Sequence, residues 1–280
     1  MTDQRTSEPA DAVVRRTTPS GADLTLSGDV VVKVHHPRTG AAALAARLDA
    51  VTRDHLAPYW VQPLDPRPHA TPDGRWATAW PRVEVLPEDA GPHPWAEAGE
   101  LLAALHRAGA RDITHTRSLP PQGGPARVER ALARSGRAHH AAAPMLVDLG
   151  TRLLHEASTA SRAADTVVHG DWHLGQVART PDGLRLLDVD DLGVGDPAWD
   201  LARPAGFWAA GALDDEAWGT FLGAYRAASG PAVPADGDPW PRLDLPARCA
   251  VYVAAVRVVA VQPTHSADPA NTLLEACARM

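Results

Sequence analysis

The chain is poor in cysteine. Cys249 and Cys277 are the only two among 280 residues, and no CxxC spacing joins them. That spacing excludes a disulfide framework and a thiolate zinc site of the usual kind, and it reads as two ordinary thiols in a reducing cytosol. Nowhere do about 18 apolar residues run together, so no segment reads as spanning a membrane. The stretch from Met1 to Arg16 is polar and charged. It lacks the apolar centre of a secretory signal and reads as a flexible N-terminus. Positive charge is also in deficit. The formal net charge is −7, whereas a nucleic-acid backbone partner demands clustered Lys and Arg. There is no internal repeat, no low-complexity tract and no GxGxxG loop. What remains is a cytoplasmic globular chain with an ordinary 45% of hydrophobic residues, long enough for one large domain or two lobes.

Turn signals at Thr18–Gly21 and Ser27–Asp29 flank "ADLTLS" and "VVVKVHH", which read as two strands of a hairpin. From Gly40 to His55 the pattern turns helical, with Leu44, Leu48 and Val51 on one stripe. "RWATAWPRVEVLP" alternates again and reads as a strand running into a connector. The three prolines and the glycine of Pro87–Pro94 mark a boundary, giving a β-rich lobe over 17–86 and a helical lobe over 87–280. Past it, "PWAEAGELLAALHRAGA" is the clearest helix, opened by Pro94, faced by Leu101, Leu102 and Leu105, and closed by Gly109. Further helices are expected at 126–143, 145–160, 214–228, 243–261 and 271–280. A short hairpin, Val177–Arg179 with Leu184–Leu187, is expected around the turn Thr180–Gly183.

One loop carries an unusual load of polar groups after two valines: "VVHGDWHLGQ", Val167 to Gln176. An acidic run, Asp188-Val189-Asp190-Asp191, lies one hairpin later. The hairpin should bring the end of the loop beside the acidic run, so that Asp171, Gln176 and Asp188 converge on one pocket. Oxygens so crowded repel one another unless a hard cation sits between them, and Mg²⁺ favours oxygen ligands of this kind.

"HGDWHLGQ" followed by "LLDVDDLGVGDPAWDLA" resembles the aminoglycoside phosphotransferase family, which shares the two-lobed, α+β protein-kinase-like fold. The family's catalytic loop reads H-G-D-x-x-x-x-N and its metal segment roughly I-D-W-x-x-x-G-x-x-D-x-x-x-D-[IL]-A. "VVVKV" and "LLAALHRAG" are weaker echoes of the nucleotide-lysine strand and of the helix after the hinge. The resemblance implies an ATP-dependent O-phosphotransferase that uses Mg²⁺ and a small-molecule hydroxyl acceptor. It assigns Asp171 as the catalytic aspartate that orients the acceptor hydroxyl and takes its proton, and Lys33 as the lysine on the α- and β-phosphates. Asp188 and Gln176 become the metal ligands, His169 the structural histidine of the loop, and Asp200 a buried aspartate that braces it.

The chain departs from the family pattern in three places. Gln176 stands where the family has Asn; it keeps the amide oxygen on a stem one methylene longer. The same ending, H-x-G-Q, is similar to that of actinobacterial maltokinases and glucosamine kinases of this fold. The helix after Lys33 holds Asp49 and Asp54 but no Glu to pair with the lysine. With no glycine-rich loop, phosphate capping falls to backbone amides near Ser20–Gly21 or Ser27–Gly28. The acceptor is expected to be an aminoglycoside-like or other antibiotic, or alternatively a sugar or amino sugar. An inactive nucleotide-binding relative and a metal-dependent hydrolase are further readings of the same residues. Asp190 and Asp191 fit either a second metal-site neighbour or a solvated charge run. His35 and His36 are expected at the surface, His173 as a hydrogen-bond partner within the loop, and Trp172 either in the core or walling the acceptor pocket. The acidic run Asp214–Glu216 suits a helix N-terminus better than a site for a cation.

Overall fold

A computed structural model of the chain describes residues 13–18, 20–87, 93–111, 118–160, 166–261 and 268–280. The N-terminal part is a five-stranded antiparallel sheet in the order β1-β2-β3-β5-β4, made of β1 Val14–Thr17, β2 Asp23–Ser27, β3 Val30–Val34, β4 His69–Ala70 and β5 Trp76–Pro81. The hairpin β2–β3 forms as the turn signals imply. Strand β1 overlaps the end of the segment 1–16 expected to be a flexible terminus: Val14 to Thr17 pair with Leu26 to Asp23. Helix α1, Ala41–Val51, buries Leu44, Leu48 and Val51 as one stripe.

The C-terminal part is mostly helical. It contains α2 His93–Arg111, α3 Gly123–Ser135, α4 Ala143–Thr159, α5 Ala202–Ala210, α6 Asp215–Ala227, α7 Trp240–Val261 and α8 Asp268–Ala278. Helix α3 begins and ends earlier than the expected 126–143. Its start is set by an extended Gln122, and Gly136 caps its end. Gly109 does not close α2, which continues to Arg111. A Cβ on Gly109 would lie 2.6 Å from the Cβ of Val167. The glycine therefore lets the helix approach the strand that feeds the polar loop. Asp214 caps α6 by accepting from the Ala217 amide, and Asp215 accepts from the Trp208 indole. The acidic run at 214–216 is thus a helix start.

Strands β6 Glu84–Val85, β8 Val177–Thr180 and β9 Gly183–Leu186 form a second sheet, and β7 Thr166–Val168 pairs with β10 Gly193–Gly195. The expected hairpin has the register Val177↔Leu186 and Arg179↔Leu184. One core cluster runs from α1 through Trp60 and Trp80 to α2, the hairpin and α6. A second joins α3, α4, α7 and α8 around Tyr252. Burial pushes both thiols in this second cluster, Cys249 and Cys277, up to about 12, which leaves them inert at neutral pH.

Candidate active site

The polar loop hangs between β7, whose three residues are all buried, and the hairpin β8–β9. Its conformation is fixed by one carboxylate. Asp200 is fully buried; its Oδ2 accepts from the His169 amide at 2.7 Å and its Oδ1 from the Gly170 amide at 2.7 Å. A third donor, His106 Nε2, lies 2.9 Å from Oδ2. Tyr225 accepts from the Ala232 amide and lies 2.8 Å from His106 Nδ1. The phenol therefore donates to Nδ1, and the imidazole carries its proton on Nε2, toward Asp200. Gly170 is required at its place. Its φ is +82°, and an added Cβ would fall 2.0 Å from the Asp191 carbonyl oxygen.

His169 stacks on Trp60, with ring centroids 5.3 Å apart. Its Nε2 donates to the Leu187 carbonyl at 2.7 Å, which leaves Nδ1 to accept from the Asp171 amide at 3.3 Å. Burial holds its pKa below the ordinary histidine value, so the ring is neutral and bridges the loop to the residue before Asp188. The end of the loop is tied to the same place, since the Leu187 amide donates to the Gln176 carbonyl at 2.8 Å. Gln176 and Asp188 are side by side for that reason. Asp188 has φ +60°, an uncommon conformation for a residue with a Cβ. Its Oδ1 accepts from the Asp190 amide at 3.0 Å.

Lys33, on β3, is almost fully buried, and its Nζ lies 2.6 Å from Asp188 and 2.9 Å from Asp190. Burial disfavours its ammonium, but the two carboxylates outweigh burial and hold the pKa above the ordinary lysine value. Asp49 and Asp54 play no part in this; Asp49 pairs with Arg53 at the surface. The lysine's partners come instead from the acidic run. Asp190 is not a solvated charge. Burial pushes its carboxyl up, yet Lys33 and His35 hold it well below the usual range.

His35 corrects the expectation of a surface histidine. It is fully buried, with Nδ1 2.6 Å from Asp190 and Nε2 2.8 Å from the Thr78 hydroxyl, which also accepts from the Trp80 indole. A run of donors therefore passes from Trp80 through Thr78 and His35 into Asp190. The β2–β3 register places the turn at Gly21 at the Lys33 end of the sheet, because Asp23 pairs with Val34, and the turn at Gly28 at the far end.

On the other side of the loop, Asp171 faces a cavity of about 260 Å³ between α3, α5 and α7. Arg127 of α3 forms a close ion pair with Asp171 and a second with Asp191 at 3.1 Å. Arg130 also reaches Asp191, at 3.4 Å. Trp172 lines this cavity and also stacks on Phe221 at 4.8 Å, so it serves the wall and the core together. The residues singled out in the sequence therefore fall into two groups. Lys33 of the sheet pairs with Asp188, the Gln176 backbone is tied to the residue before Asp188, Asp171 lies toward the cavity, and His169 and Asp200 hold the loop between them.

Sequence reasoning missed His35, Arg127 and the role of Asp190. For Arg127 no local signal exists, because its partner stands 44 residues later on another element. One signal for Lys33 was available in the composition. It is the only lysine in the chain; every other basic side chain besides histidine is arginine.

A β-sheet part and a helical part clasping a braced H-G-D loop, with a buried lysine opposite an aspartate, define a protein-kinase-like phosphotransferase. The APH phosphotransferase enzyme family matches residues 6–245, and the chain belongs to that family. It is a phosphotransferase with a hydroxyl acceptor.

The fold is similar to that of the amicoumacin kinase hAmiN, solved with AMP-PNP, Ca²⁺ and Ami. That likeness has a TM-score of 0.71 at 14% identity and covers 95% of this chain and 87% of that one. The GDP complex of aminoglycoside 2′-phosphotransferase-IIIa gives 0.63 at 15% identity, covering 99% and 94%. Choline kinase LicA from Streptococcus pneumoniae gives 0.61 at 12% identity, covering 92% and 88%. No curated protein matches the sequence. Among the described residues no helix is long and apolar enough to cross a membrane.

Proposed function

We infer that this protein is an ATP-dependent kinase that moves the γ-phosphoryl group to a hydroxyl of a small molecule in the cytoplasm. The observation that carries this reading is the position of the H-G-D loop. It sets the Lys33–Asp188 pair on one side and the Asp171 carboxylate, open to a cavity, on the other. Solved relatives of the same fold carry AMP-PNP with Ca²⁺ in one case and GDP in another, which supports a nucleoside triphosphate as donor.

The donor set fits Mg²⁺. Asp188 and Gln176 offer hard oxygens, and no cluster of three acidic, His or Cys side chains among the described residues would hold a metal alone. A site of this kind supplies one or two protein ligands and leaves the rest to water and phosphate. When bound, the ion would neutralise charge on the phosphate oxygens.

The chain's own residues do the rest. Lys33, released from Asp188, pairs with the α- and β-phosphates. The turn at Gly21 lies at that end of the sheet, with its Gly21 and Ala22 amides bonded to Thr18. Asp171 orients the acceptor hydroxyl through the oxygen not held by Arg127 and receives its proton. The acceptor oxygen then bonds to the γ-phosphorus as the bond to the β-bridging oxygen breaks, and ADP leaves. Placement and charge neutralisation provide most of the acceleration in such a transfer. His169 and Asp200 keep the loop in register.

Both an antibiotic and a sugar are compatible with the loop. Among the described residues the cavity is lined by Arg127, Arg203 and Arg257, by Asp171, and by apolar and aromatic side chains. The reading is tested by incubating the protein with Mg²⁺-ATP and a panel of hydroxylated antibiotics, sugars and hydroxy acids, with phosphorylated product measured by mass spectrometry. Full turnover by Asp171→Ala on any product found would refute the role of Asp171. Nucleotide hydrolysis without an acceptor and without a need for Lys33 would refute the kinase reading.

A further inference from the structure

The strand that carries Lys33 leads into a second buried polar side chain. His35 follows two residues later, and its amide continues the ladder by donating to the Trp76 carbonyl at 2.7 Å, so the two side chains leave the same face. Thr78 of β5 stands directly opposite Lys33, and Trp80 follows it on that face. All four side chains are buried. Polar groups in such a place stabilise the fold only if each has a partner. Here each does: the Trp80 indole donates to Thr78, and His35 joins Thr78 to Asp190. Apolar side chains would hold the sheet as well, so the reason for this chain of bonds lies at its end, on the Asp190 carboxylate.

The two carboxylates that meet Lys33 are not equivalent. Asp190 takes the ammonium on Oδ2 at 2.9 Å and His35 Nδ1 on Oδ1 at 2.6 Å. Each of its oxygens thus has a donor held in place by the sheet. Asp188 takes both of its donors on one oxygen, Oδ1: the ammonium at 2.6 Å and the Asp190 amide at 3.0 Å. Among the described residues nothing bonds its Oδ2. Val189 and Leu192 are buried and fix the run between them, and Asp191 turns away to Arg127 and Arg130.

We propose that Asp190 is the permanent seat of Lys33 and Asp188 the temporary one. His35 holds Asp190, and Asp190 keeps the ammonium in place when Asp188 gives it up to serve as the metal ligand. Asp190 then does what a carboxylate on α1 would do, Asp49 being engaged by Arg53 instead. Asp190 and His35 are positioning residues that act through the lysine, and Asp190 is not a ligand of the metal. The proposal rests on the kinase reading for the nucleotide.

Lys33 is the only lysine in the chain, so lysine labelled with ¹⁵N at Nζ gives one side-chain ammonium signal. Exchange of its hydrogens with water is measured by NMR on the full chain without nucleotide. Asp190→Asn and His35→Leu each remove one charge-assisted contact and should speed exchange by about 10- to 100-fold. His35→Asn places an amide nitrogen where Nδ1 stood and should return the rate to within about 3-fold of native. Melting curves check that each variant is folded. Mn²⁺ affinity is then measured by electron paramagnetic resonance with ADP bound. Asp188→Asn should weaken it by at least about 10-fold, and Asp190→Asn by no more than about 3-fold.

Unchanged exchange in Asp190→Asn, or no rescue by His35→Asn relative to His35→Leu, overturns the inference. An equal loss of Mn²⁺ affinity in the two aspartate variants makes Asp190 a metal ligand and also overturns it. One measurement needs no substitution: electron–nuclear double resonance on native protein with Mn²⁺-ADP and aspartate labelled with ¹³C at the carboxyl carbon. A single carboxylate on the metal is expected, and a pair refutes the division of roles. A native protein that binds no Mn²⁺-ADP defeats the kinase reading, while the exchange rates still judge how His35 and Asp190 hold the lysine.

Discussion

Replacing Lys33 by Met should remove turnover and, less obviously, create a metal site. The lysine is held by two carboxylates at 2.6 and 2.9 Å. Removing one partner of a buried pair costs about 3–5 kcal/mol, because the charges left behind are uncompensated. Here Asp188 and Asp190 are 27% and 24% exposed, so water reaches both. Each also keeps one donor, the Asp190 amide on Asp188 and His35 on Asp190. The expected loss is therefore about 2–3 kcal/mol, or about 5–10 °C in melting temperature for a chain of this size.

In the native protein without nucleotide, Mg²⁺ must compete with the ammonium for these oxygens, and millimolar Mg²⁺ should leave the melting temperature unchanged. In Lys33→Met the same oxygens repel each other, and Mg²⁺ relieves that. The variant should then gain several degrees from Mg²⁺ alone, since a ligand that binds only the folded state stabilises it. The assay is thermal melting of both proteins with and without Mg²⁺, with no nucleotide present. A variant as stable as the native protein, or one that gains nothing from Mg²⁺, would refute the view that Lys33 holds the place of the cation.

Asp200→Asn keeps one acceptor oxygen but turns an NH₂ toward a buried N–H donor. It should cost about 2–3 kcal/mol in urea unfolding, and an unchanged midpoint would show that the loop has another brace. Arg127→Ala frees Asp171 from its ion pair; kcat should fall by about 10- to 100-fold with nucleotide KM unchanged, in steady-state kinetics at saturating acceptor. His169 titrates below its ordinary value because it is buried. The unfolded chain therefore takes up a proton that the folded one refuses, and stability should drop as pH falls below about 6.5. Comparing urea midpoints at about pH 7.5 and about pH 5.5 should show a smaller drop in His169→Gln than in the native protein.

The loop and its brace were legible because phosphoryl transfer needs those groups at fixed spacing on consecutive elements, and His169, Asp171, Gln176, Asp188 and Asp200 all fall within one stretch. The partner of Lys33 was not. A helix after β3 is the ordinary place to look for a carboxylate, whereas Asp190 reaches the lysine from 157 residues away. His35 was misread because a histidine followed by another polar residue looks the same whether it faces water or closes a buried chain of donors. Only the packing of Thr78 and Trp80 on the next strand decides it. Helix α5 was invisible for a related reason: Ala, Pro and Gly in "ARPAGFWAA" carry no apolar period, and its burial against α7 supplies what the sequence pattern lacks. Arg127 and Arg257 are single letters on amphipathic helices, and their shared cavity exists only once three helices meet.

The solitary lysine has a chemical consequence outside catalysis. Amine-directed reagents find two targets on this chain, the terminal amine and Lys33. The second is buried and its proton is held by two carboxylates, so acylation should stop at the terminus while the site stays closed. Labelling of Lys33 then becomes a clock for the release of the ammonium from Asp188 and Asp190. Its rate, read by peptide mass spectrometry, counts how often the site opens.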